Sequence, residues 1–213
     1  MTRTPLSADN AAIILIDHAI GFSPLIGSRP IEETVSGAVA LAKIAKLFGA
    51  PLVATNGRDE APSGPLYPEL QEALGDHPVI ARDEGFDAFY DENFAAAIEA
   101  TERRRLIMAG VQTDVCLTQT ALTAIDRGYE VYVVVDASAA PNKEIHDTAV
   151  MRLVQAGAIP TNWLAIGSEL QRSWTEQETA PGFAKLLYEQ LTSWGHLHAL
   201  AENVQKFAAK SGQ

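Results

Sequence analysis

Two segments of the chain are apolar at every consecutive position, Ile13-Ile14-Leu15-Ile16 and Val131 through Val135. A strand with one wet face alternates polar and apolar side chains. Unbroken apolarity means that both faces are covered, as in a parallel sheet between two helix layers. With these, the aliphatic or β-branched runs at Ala12 to Ile16, Pro51 to Thr55, Val79 to Ala81, Leu106 to Ala109, Val131 to Val135 and Ala158 to Trp163 predict about six strands. Helical patterns lie between them. Ile31, Val35, Ala38, Ala42 and Ala45 recur at spacings of four and three, Pro30 suits a first turn and Gly49 suits the stop. Phe94 to Ala100, Val115 to Ile125 and His146 to Ala156 predict further helices, and Gly128 and Gly157 sit where helices turn back into strands. The alternation predicts an α/β fold: a doubly wound, Rossmann-like, mostly parallel sheet with helices on both faces.

The 213 residues, 47% of them hydrophobic, are enough to bury a full core. No Pro/Gly/Ser-rich linker or internal repeat divides residues 1 to about 172, so the chain reads as one domain, 1–213, with a helical C-terminal extension from about 175. From Pro181 onward Phe183, Leu186, Leu187 and Leu191 form an apolar stripe, to be packed either on its own domain or on a neighbouring subunit. A formal net charge of −11 opposes phosphate backbones and anionic lipid, and the only compact basic cluster is Arg103, Arg104 and Arg105. Nucleic acid and membrane partners are therefore not expected. No apolar run approaches the roughly 18 residues of a membrane span, and the first residues lack a signal-peptide pattern. The single cysteine, Cys116, forms neither an intramolecular disulfide nor a CxxC motif, which fits a reducing, cytoplasmic setting.

In open parallel sheets ligands bind beyond the carboxyl ends of the strands. Asp17 ends the first predicted strand, Arg82 follows the third, and Gly110 to Cys116 joins the fourth to its helix. Cys116 falls in the first turn after Asp114, read as an N-cap, where free N–H groups and the helix dipole favour an anion and would lower the thiol pKa. Each residue has a plainer reading. Cysteine is often only a small buried hydrophobe; Asp17 would cap the turn before Gly21; Arg82 would be a surface cation pairing with Asp83 or Glu84. Asp114 and Asp136 read as structural.

Asp17 after its apolar strand, a basic residue after the third strand, and Gly110-Val111-Gln112-Thr113-Asp114-Val115-Cys116-Leu117 resemble the isochorismatase-like cysteine hydrolases, which include nicotinamidases and carbamoylases. The resemblance covers residues 11 to about 174. Asp136-Ala137-Ser138 and Glu169 to Trp174 further resemble the YcaC-like branch. The resemblance implies an Asp, Lys, Cys triad, of which Asp17 and Cys116 carry over. The middle member departs from the pattern: Arg82 holds the place, and no lysine lies between Lys46 and Lys143. Arginine stays protonated at any ordinary pH, so this side chain would stabilise charge without shuttling a proton. The resemblance also implies a cis peptide bond at Val111–Gln112, an oxyanion hole from the backbone N–H groups of Gln112 and Cys116, a small-molecule substrate, no cofactor or metal, and a homo-oligomer.

Other readings of the fold lack their fingerprints. Neither GxGxxG nor GxxxxGK[ST] occurs, which disfavours a nucleotide site, and no GxSxG elbow marks a serine hydrolase. His18, His77 and His146 are scattered, and His196 and His198 lie in the tail. The metal-binding aspartate and histidines of nicotinamidases are missing from Thr55 to Asp59. The expectation is thus a hydrolase cutting an amide-type C–N bond through a thioester. Its alternative is a non-catalytic or redox-sensing protein that uses Cys116 as a reactive thiol.

Overall fold

The computed structural model describes residues 4–83 and 85–211. In chain order the elements are β1 (Ala11–Ile16), α1 (Ile31–Phe48), β2 (Leu52–Gly57), α2 (Pro68–Leu74), β3 (Val79–Arg82), α3 (Glu92–Ala100), β4 (Arg105–Gly110), α4 (Thr118–Asp126), β5 (Glu130–Val134), α5 (Lys143–Gln155), β6 (Ile159–Thr161), α6 (Trp163–Gln171), α7 (Ala180–Gln190) and α8 (Thr192–Ser211). The six strands pair in parallel throughout, in the order β3-β2-β1-β4-β5-β6. The order reverses between β1 and β4, which creates a switch point at their carboxyl ends.

Successive side chains of a strand face opposite ways, and β1 feeds two cores. Ile13 and Leu15 pack with Leu41 and Ile44 of α1 and with Trp163 and Phe183, whereas Ile14 and Ile16 pack with Phe94, Ile98 and Leu117 on the other face. All six residues of β1 are buried. Burying each large aliphatic side chain contributes about 1.5–3 kcal/mol, so a polar residue inside β1 would disrupt one layer or the other.

Several boundaries differ from the sequence pattern. The last strand stops at Thr161, because Asn162 accepts a hydrogen bond from the Ala165 N–H at 2.7 Å and starts α6, with Trp163 as its first residue. Helix α5 begins at Lys143, ahead of the apolar repeat, because the Asn142 side chain accepts from the Ile145 N–H at 2.9 Å. Helix α2 is short and was not anticipated; Pro68 opens it and Leu70 and Leu74 are its buried contacts. The tail stripe packs on its own domain. Phe183, Leu186 and Leu187 of α7 are buried in the chain's own core beside α1, while Leu197, Leu200 and Val204 of α8 remain exposed.

Candidate active site

At the switch point the carboxyl ends of β1 and β4 lie unusually close. A Cβ on Gly110 would meet the Ile16 carbonyl oxygen at 3.0 Å, so glycine is what permits the approach. Asp17 follows directly with φ 55°, a left-handed conformation that aspartate tolerates better than most residues. The chain thereby turns out of the strand, held by the bond from Asp17 N–H to the Thr55 carbonyl at 3.0 Å.

Arg82 is the last residue of β3, paired in register with Gly57 of β2. Its side chain is 4% exposed, and it donates to the Asp17 carboxylate and to the Gly85 carbonyl. The alternative reading as a surface cation is thereby excluded: Asp83 pairs with Arg58 at 2.8 Å, and Glu84 lies outside the described residues. The guanidinium clamps the loop after β3 to the end of β1.

The loop that carries Cys116 differs from expectation. Residues Thr113–Leu117 form a single π-helical turn ahead of α4, and Asp114 lies inside this turn, with Gln112 in the capping position. Asp114 is therefore not the N-cap, and its Oδ1 has no hydrogen-bond partner among the described residues. The N–H groups of Val115 and Leu117 both turn to the Gln112 carbonyl, each at 3.2 Å, and that of Thr113 to the Ala139 carbonyl at 2.8 Å. The Thr113 hydroxyl contacts His146 Nδ1 at 2.9 Å, tying the turn to α5. The Val111–Gln112 peptide bond is cis.

These pieces converge. The Cys116 thiol, the Asp17 carboxylate and the Arg82 guanidinium face the same cavity, near enough that the charges of Asp17 and Arg82 both act on the thiol; Asp17 Oδ2 accepts from Arg82, and Oδ1 has no hydrogen-bond partner among the described residues. Asp17, Arg82, Gln112 and Cys116 line one cavity of about 1010 Å³, and Val111 is buried behind it. The lowered thiol pKa expected from a helix N-terminus is not found. Burial, then the negative charge of Asp17, push Cys116 up to about 12, and the opposing pull of Arg82 is smaller. Burial also raises Asp17 above its ordinary value despite its contacts with Arg82 and Cys116. A neutral thiol thus faces a carboxylate of raised basicity, which suits proton transfer during attack. Asp136, read as structural, accepts from the Trp163 N–H at 3.0 Å and holds the start of α6.

The sequence pattern did not single out the walls of the cavity. Phe22 stands on the loop after β1, Phe86 on the loop after β3, and Ala61 and Pro62 on the loop after β2. The available signal was a Gly-Phe pair in each of two loops, Gly21-Phe22 and Gly85-Phe86, since an aromatic ring in a connecting segment with no core to fill is suited to ligand contact.

The topology and its cleft define a class first: a doubly wound α/β protein that presents a thiol, not a phosphate cradle, at its switch point. Residues 11–164 match the isochorismatase domain, and the chain belongs to the isochorismatase family, as a hydrolase of YcaC-like type. It is 35% identical over 201 residues to the probable hydrolase YcaC of Escherichia coli, covering 94% of this chain and 96% of that one. The crystal structure of the E. coli protein, described as an octameric hydrolase of unknown specificity, superposes with a TM-score of 0.89, covering 96% of this chain and 99% of that one. YcaC from Pseudomonas aeruginosa, solved with hexane-2,5-diol and covalent acrylamide, is 36% identical with a TM-score of 0.87 over 98% of this chain and 99% of that one.

Proposed function

We propose that the chain hydrolyses an amide-type C–N bond of a small molecule through a thioester on Cys116. One observation carries this reading: a buried carboxylate, Asp17, bound to a fixed guanidinium, shares with the only thiol a cavity large enough for a small substrate. Asp17 accepts the thiol proton as sulfur attacks the carbonyl carbon. The C–N bond then breaks, and the leaving amine takes that proton from Asp17. Water gives a proton to Asp17 as its oxygen attacks the thioester, the C–S bond breaks, and the thiol recovers the proton. Arg82 stays charged throughout, orienting Asp17, while the N–H groups of Gln112 and Cys116 receive the developing oxyanion, where one well-placed donor contributes roughly 3–4 kcal/mol. No step in this scheme needs a cofactor. The covalent acrylamide on the P. aeruginosa relative is in keeping with a nucleophilic site. The raised thiol pKa weighs against a redox sensor, because oxidation follows thiolate character.

The test is incubation with primary amides, carbamoyl compounds and hydroxamates, followed by intact-protein mass spectrometry. An acyl adduct on Cys116, lost together with turnover in Cys116→Ala, is the expected result. A Cys116→Ala protein that hydrolyses a substrate at the normal rate defeats the assignment.

We further propose that residues 1–213 act as one hydrolase domain with a helical extension, in the cytoplasm, and as a homo-oligomer. The octameric E. coli relative and the exposed Leu197, Leu200 and Val204, which share one side of α8, support the oligomer. The lone cysteine supports the compartment. Among the described residues no helix is long and apolar enough to cross a membrane.

A further inference from the structure

The cavity also limits what it can admit. Among the described residues its charged lining consists of two cations, Arg58 and Arg82, and three carboxylates, Asp17, Glu60 and Asp83. Both cations are already engaged: Arg58 with Asp83 at 2.8 Å at the exposed mouth, and Arg82 with Asp17 and the Gly85 carbonyl at the buried floor. Among the described residues no lysine lines the cavity. An anionic group entering it would lose water and meet only guanidinium groups already paired with carboxylates, and a buried charge without a partner of its own is strongly disfavoured. The net charge of −11 adds repulsion at long range. Much of the rest of the wall is apolar, with Phe22 and Phe86 on separate loops and Ala61, Pro62 and Val115 beside them, and Ser63 and Gln112 add only uncharged polar groups. Phe86 is 66% exposed, a cost for a large apolar side chain unless something covers it.

We propose that the site takes an uncharged substrate with an apolar acyl group, aryl or branched aliphatic, held between Phe22 and Phe86, and that carboxylate-bearing compounds are excluded. This rests on the cysteine-hydrolase reading for its chemistry, but the cavity's preference is measurable without turnover. Because Cys116 is the only thiol, its alkylation reports what reaches it. The probes are iodoacetanilide, iodoacetamide and iodoacetate. In each reaction sulfur displaces the halide and the thiol proton passes to Asp17 or solvent, and each rate is divided by that of N-acetylcysteine with the same probe.

The expected order is anilide, then iodoacetamide, then iodoacetate, with a gap of about tenfold or more between anilide and iodoacetate, the scale on which apolar pockets discriminate. Phe22→Ala and Phe86→Ala should each bring the ratio of anilide to iodoacetamide toward that of N-acetylcysteine, and Phe86→Leu should keep part of it. Iodoacetate reacting as fast as the anilide overturns the proposal, as does an anilide advantage that survives both alanine substitutions. Failure of the hydrolase reading is a different result, turnover retained in Cys116→Ala, and leaves the alkylation order standing.

Discussion

Arg82→Met removes a charge from the floor of the cavity while keeping much of the side chain's bulk. Two contacts are lost. The bond to the Gly85 carbonyl does not titrate, whereas the pair with Asp17 does. Both side chains of that pair are 4% exposed, so solvent does little to replace the missing partner. Removing one member of a buried ion pair typically costs about 3–5 kcal/mol. For a chain of this size each kcal/mol lowers Tm by roughly 2–4 °C, so a fall of about 10 °C is expected at neutral pH. The pH dependence separates the two contacts. Asp17 already titrates above its ordinary value in the folded protein, and losing Arg82 removes an influence that lowers it, so the substitution raises it further. A carboxyl whose folded pKa exceeds its unfolded one binds protons preferentially in the folded state. Its full stabilising contribution is present below the unfolded value of 3.8 and is lost as pH rises through the folded value. The gap between wild type and Arg82→Met should therefore be small near pH 4 and widen toward pH 8, with the Gly85 contribution constant across the range. Denaturant unfolding at several pH values measures this. A gap independent of pH would refute the coupling of Arg82 to Asp17, and Asp17→Asn in the Arg82→Met background should recover part of the loss near pH 8, because the uncompensated charge is gone.

The thiol should show no ionisation in ultraviolet titration until well above pH 8.5, since burial and Asp17 push it up to about 12; a transition at or below the free value of about 8.5 would sink the concerted mechanism. The acid limb of kcat should lie above the ordinary aspartate range and shift or vanish in Asp17→Asn, because activity falls as pH drops through the raised value of the base. Gly37→Ala should cost about 1–3 kcal/mol by overpacking, as its Cβ would meet the Ala137 Cα and the Asp136 carbonyl at 2.9 Å; an unchanged Tm would contradict the packing of α1 against that turn. His18, fully buried and lowered to about 4, binds protons better when unfolded, so stability should rise between pH 4 and 6.5 by up to roughly 3 kcal/mol, and His18→Asn should flatten that segment of the profile.

Much of the fold was written locally. Unbroken apolarity at Ile13 to Ile16 requires a strand with two covered faces whatever its neighbours are, and Gly49, at φ 69°, marks the end of α1 through its own conformational freedom. The Asp17 and Cys116 positions followed from strand ends and the loop motif, because a parallel sheet sends those ends to one edge. Other features depended on partners distant in sequence. Asn162 starts a helix against a β-branched and aromatic run because Asp136, 26 positions earlier, accepts the Trp163 N–H. The single glycines before Phe22 and Phe86 could not reveal that the two rings share one cavity. The thiol shows the limit most clearly. By itself the sequence placed the one cysteine, on a strand-end loop ahead of a helix. Only the tertiary structure decided its protonation, because desolvation and the charge of Asp17, brought to the same sheet edge by the pairing of β1 with β4, outweigh the pull of Arg82.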